Sequence, residues 1–88
     1  MPKQDLNHVD AVRAHAIRRL WQRFGIAITN AEYAALTELI RAKLLSPDGW
    51  TRSGRPVWVI QVRHRTVYVG WHSDVLAIGT FHGGEDVV

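Results

Sequence analysis

The chain contains no cysteine. A disulfide framework and any thiolate-held metal are therefore excluded, and the absence suits a reducing cytoplasm. No apolar run approaches the roughly 18 residues of a membrane span. The first residues, Met1-Pro2-Lys3-Gln4-Asp5-Leu6-Asn7-His8, carry no apolar segment of the signal-peptide kind. The expectation is a cytoplasmic protein with no membrane partner. Acidic residues are few and unevenly placed: 8 Asp and Glu stand against 11 Lys and Arg, for a net charge of +3. None occurs between Gly49 and Ser73, where Arg52, Arg55, Arg63 and Arg65 lie with His64 and His72. Phosphate-binding glycine loops are missing too, since Gly79, Gly83 and Gly84 do not open a helix. No serine sits in a nucleophile motif.

What remains is a single small domain of 88 residues, and its 47% hydrophobic content excludes disorder. Four tryptophans let so short a chain bury more area per residue. Residues 1–9 read as a flexible N-terminus, 10–82 as the domain and 83–88 as a loose tail. Asp10 is an N-cap or early-turn residue of a first helix whose apolar positions Ile17, Leu20, Trp21 and Phe24 share one face, and Gly25 closes it. Thr29-Asn30-Ala31-Glu32 matches a capping box, with Ile28 and Tyr33 at the staple positions. The second helix carries Leu36, Leu39, Ile40 and Leu44. The short link predicts that the helices pack on each other, antiparallel.

After Ser46-Pro47-Asp48-Gly49 the period changes from 3.6 to 2. Strands are predicted over 57–62, 66–71 and 75–81. A two-residue loop at His64-Arg65 places Val62 opposite Val67, Ile60 opposite Val69 and Trp58 opposite Trp71, all apolar and on one face. His-Arg is not a favoured pair for a primed turn, and a slip of one residue exchanges the faces. The expected fold is α+β: two N-terminal helices packed on a three-stranded antiparallel β-meander.

Two groups of side chains could carry chemistry. His15, Arg19 and Arg23 are spaced i, i+4, i+8, within about 80° on a helix. One titratable base beside two permanent cations can hold a phosphate and move a proton; a solvated helix face has the same pattern. Arg63, His64 and Arg65 form a basic hairpin tip near Thr66 and Tyr68, suited to phosphate contact and base stacking. The same charges also guard an exposed hairpin against aggregation. His72 and His82 end successive strands, but two histidines without a third ligand make no metal site. No metal and no cofactor is expected.

The string His15-Ala16-Ile17-Arg18-Arg19-Leu20-Trp21-Gln22-Arg23-Phe24-Gly25-Ile26 resembles the H-x-x-x-R-[ML]-x-x-R-x-G-[IL] helix of small phage- and mobile-element-associated proteins. These are grouped with the barnase–EndoU–colicin–RelE-like superfamily of metal-independent RNases. The later run of strand, basic reversal, Thr66-Val67-Tyr68-Val69, turn and Val75-Leu76-Ala77-Ile78-Gly79-Thr80-Phe81 is similar to that group's terminal meander. The likeness covers about residues 12 to 82. It departs where many members place Asp-Pro after the second strand and this chain has His72-Ser73-Asp74. It implies His15, Arg19 and Arg23 as catalytic positions and Thr80 on the last strand. Arg52, Arg55, Arg63, His64, Arg65 and Tyr68 complete the expected binding set.

The resulting expectation is a basic phage-type protein that binds RNA or a nucleoprotein complex, with ribonuclease toxin-like activity. The alternative is a non-catalytic anti-defence inhibitor, of which anti-CRISPR proteins are one kind, that binds a host defence protein or nucleoprotein. A third reading is a toxin-like module that dimerises or binds an antitoxin.

Overall fold

The computed structural model describes residues 2–88, with side chains from residue 8 onward. Helix α1 spans Pro2–Phe24 and α2 Asn30–Arg41; strands β1 (Gly49–Trp50), β2 (Pro56–Val62), β3 (Arg65–His72) and β4 (Ala77–His82) follow, then a short 3₁₀ turn, Gly84–Asp86. The class is α+β as expected. The sheet, however, has four strands rather than three, antiparallel in the order β1-β2-β3-β4. The added strand was hidden because Gly49 and Trp50 are too few to show an alternation. They pair with Val57 and Pro56.

Residues 2–9, expected as a flexible lead, belong to α1, so Asp10 lies inside the helix and not at its cap. There it accepts a hydrogen bond from Arg13 one turn on, at 3.0 Å. The buried stripe of α1 is Val12, Ala16 and Leu20. Ile17 and Phe24 pack at its margin. Trp21, expected in the core, is 59% exposed. At 100° per residue it stands about 180° from Val12, and the sheet selects the Val12 side. Gly25 closes the helix with φ 67°, as a left-handed C′ residue.

The capping box forms as expected. Thr29 Oγ1 accepts from the Glu32 amide at 3.1 Å, and Glu32 Oε1 accepts from the Thr29 amide at 2.9 Å. In α2, Tyr33, Thr37 and Ile40 are buried, whereas Leu39 is exposed. The helices touch each other little, against expectation. Both lie on the sheet, α1 along β4. The Tyr33 hydroxyl donates to the Ile78 carbonyl at 2.6 Å, and Trp58 Nε1 donates to the Lys43 carbonyl at 2.8 Å. Helix and sheet thus meet through satisfied polar groups as well as apolar ones. Leu20, Ile40, Ile78 and Phe81 are completely buried. Each contributes about 1.5–3 kcal/mol by leaving water.

The β2–β3 register differs from expectation in an informative way. Val62 opposes Arg65, Ile60 opposes Val67 and Trp58 opposes Val69. The turn residues are therefore Arg63 and His64, not His64 and Arg65. Moving the turn by one residue changes each partner by two, so the same side chains stay inside. Arg63 and His64 have φ of 51° and 66°, the left-handed pair that a type I′ turn requires. Strand β4 begins at Ala77, two residues later than expected, because Leu76 takes a positive φ of 54° in the preceding turn.

The segment 83–88, expected as a loose tail, doubles back on the sheet. Val87 bridges Thr51, the Val88 amide donates to the Trp50 carbonyl at 2.9 Å, and the Arg52 amide donates to the Asp86 carbonyl at 3.0 Å. The tail thereby covers the free edge of β1.

Candidate functional site

The end of the buried stripe of α1 is occupied by a cation. Arg23 lies within about 20° of Val12 around the helix, so it points inward where the core has ended. Its Nη1 donates to the Phe81 carbonyl at 2.9 Å and stands 3.5 Å from Asp86 Oδ2. The same Asp86 oxygen is 4.0 Å from His82 Nδ1. The returning tail thus supplies a carboxylate between an arginine and a histidine.

Two clefts share His82. One, of about 370 Å³, is lined by Arg23, Thr51, Arg52, Ser53, His82 and Asp86. The other, of about 560 Å³, is lined by His15, Arg55, Gly70, Trp71, Thr80 and His82 among others. His82 reaches over Gly70: a Cβ there would sit 2.8 Å from His82 Nε2 and 3.1 Å from Thr80 Cγ2. Gly70 is therefore needed for close approach of the ring to the β3 backbone. Arg52 is fixed by donating from Nε to the Glu85 carbonyl at 2.8 Å. Arg55, on the wall of the larger cleft, is exposed.

Both histidines are held below the usual imidazole range. For His15 the main cause is partial burial, followed by the positive charges of Arg19, Arg18 and Arg23. For His82 burial is again the main cause; Arg23 and Arg55 push the same way and Asp86 opposes them. The neutral ring is favoured in each case, which leaves a lone pair able to accept a proton.

Of the expected residues, the fold brings His15, Arg23, Arg52, Arg55 and Thr80 to this pair of clefts. Arg19 instead donates to Gln22 Oε1 at 3.3 Å on the helix surface and acts on His15 through its charge. The hairpin tip lines neither cleft. Arg63 bonds to Glu32 and to the Ala27 carbonyl, and Arg65 donates to the Phe24 carbonyl at 3.3 Å while its guanidinium stands over the Phe24 ring. Both arginines tie the hairpin to the helices and the segment joining them. His64 is exposed at the turn. Tyr68 pairs with His82 across the sheet and its ring lies under Gly84.

His82 and Asp86 were not expected as site residues. The spacing of Thr80 and His82 on one strand was a usable signal for the first. Nothing in the sequence signalled Asp86, whose place depends on the tail turning back. Among the described residues, no helix is long and apolar enough to cross a membrane. No family model matches the chain, and neither a curated protein nor a solved structure is found that matches it.

Proposed function

We propose that the paired clefts bind the phosphodiester backbone of RNA and cleave it without a metal. The placing of His15 and Arg55 on one cleft and of Arg23 and Arg52 on the other, with His82 shared between them, carries this reading. The arginines neutralise the phosphate. Neutral His15 takes the proton of a ribose 2′-hydroxyl, and O2′ forms a bond to phosphorus as the bond from phosphorus to O5′ breaks. His82, protonated when the bound phosphate offsets the charges of Arg23 and Arg55, returns a proton to O5′. The products are a 2′,3′-cyclic phosphate and a 5′-hydroxyl, so atoms and charge balance. The resemblance of the His15-to-Ile26 string to metal-independent RNase toxins agrees with this chemistry, and a phage or mobile-element origin would follow from it.

The test is expression of the chain with a parallel RNA-cleavage assay in chelator, for the wild type and His15→Ala. Growth arrest and cleavage by the wild type, lost in His15→Ala, are expected. Intact RNA with the wild type overturns catalysis.

A second reading draws on the outer face of α1. Trp21 is exposed there beside Arg18. Such a surface fits a protein that occludes a host defence nucleoprotein, as an anti-CRISPR inhibitor does, with no bond broken. In that case RNA or nucleoprotein binding survives His15→Gln but falls with Trp21→Ala and Arg18→Glu.

A further inference from the structure

His72 stands on the wall of the larger cleft but has no part in the cleavage chemistry. His8 on α1, His72 at the end of β3 and Asp74 in the following turn place one ligand atom each within 4.8 Å of one another. The rings of His8 and His72 meet edge to face, centroids 5.2 Å apart at 72°. His72 Nδ1 is buried and has no hydrogen-bond partner, a costly condition for a polar atom that a ligand would relieve. His8 and Asp74 are exposed and His72 is half-buried, so the site is open to an ion.

We propose that His8, His72 and Asp74 form a binding site for a divalent transition ion, with zinc the best match. Two imidazoles and one carboxylate are the donors that zinc, cobalt and nickel accept, whereas magnesium and calcium prefer sets made wholly of oxygen. Donors on a tetrahedral ion with bonds of about 2.0–2.1 Å lie about 3.3 Å apart. Rotamer adjustment at the exposed His8 and Asp74 closes the present spacing to that value. Three protein ligands leave a fourth position for water. The ion would clip the N-terminal half of α1 to the turn between β3 and β4. His72 also lines the larger cleft, so the site adjoins the groove, but its three ligands are distinct from His15 and His82.

The experiment is calorimetric titration of the full chain, free of any histidine tag, with zinc at neutral pH. Cobalt is then titrated and its visible absorption recorded. Saturable binding of one ion per chain is expected, with a cobalt spectrum of tetrahedral type. His8→Gln and Asp74→Asn, both surface changes, each weaken binding by about 10-fold or more, while His64→Gln leaves it unaltered. Zinc should also raise the unfolding midpoint of the wild type and not that of His8→Gln. Binding that persists in both His8→Gln and Asp74→Asn overturns the assignment, as does an absence of saturable zinc binding by the wild type. Cleavage of RNA in chelator is read separately and bears only on the function of the groove.

Discussion

Arg63, at the tip of the β2–β3 turn, places Nη1 2.5 Å from Glu32 Oε2 at the start of α2. Glu32 Oε1 is at the same time the acceptor that completes the capping box with Thr29. One carboxylate thus closes a helix and anchors a hairpin 31 residues away in sequence. This pairing removes Arg63 from the set of groups free to meet a phosphate.

The pair gives the protein an acid-sensitive joint. Hydrogen bonding from Arg63, and then from the Thr29 amide, lowers the Glu32 carboxyl to about 2. Its folded value lies below the unfolded one, so its contribution to stability is complete above about pH 4.5 and is lost as pH falls toward 2. Glu32→Gln should flatten the acid limb of the stability curve across that window, measured by urea midpoints at successive pH values. An unchanged limb would show that the ion pair does not persist in solution.

The turn itself carries backbone strain. His64 holds φ at 66° without being glycine, and such a conformation costs on the order of 1 kcal/mol for a residue with a Cβ. His64→Gly should stabilise the domain by up to about 1 kcal/mol, since relief of strain is partly offset by a more flexible unfolded chain. Denaturant unfolding measures this, and destabilisation would contradict the type I′ assignment.

Neutral histidines in the groove predict a second pH window. The folded value of His82 lies below the unfolded one, near 6.5. The unfolded state therefore binds the proton first. Stability must fall as pH drops below about 6.5 and level off beneath the folded value. His15 acts in the same direction. His82→Gln should remove part of the slope, and NMR titration of the imidazole resonances should show both rings titrating below the ordinary histidine range.

Charge reversal separates the groove from the hairpin. Arg55→Glu should lower RNA affinity and reduce the dependence of log K on log salt by about 1 for each phosphate no longer neutralised. Arg65→Glu should act mainly on stability, because its guanidinium is engaged with Phe24. Fluorescence anisotropy over a salt series, paired with thermal unfolding, distinguishes them. Equal reductions in affinity would return the hairpin to the binding surface.

Local signals determined a good part of the architecture. Thr29 and Glu32 form their capping box from four consecutive residues, and Gly25 ends α1, because these interactions close within one turn of chain. Alternation decided which side chains of β2 and β3 face inward, and that survived the displaced turn because a shift of two residues preserves the faces. Only tertiary structure decided the rest. Periodicity permits several faces of α1, and packing against the sheet chose the one that buries Val12 and exposes Trp21. That choice turns Arg23 inward. The tail acquires a role only when the edge of β1 is there to receive it, bringing Asp86 beside Arg23 and His82. Arg23 and His82 in the groove, and His8 beside His72 and Asp74, are separated by most of the chain. No short-range pattern encodes their meeting, because it is set by how the helix lies along β4.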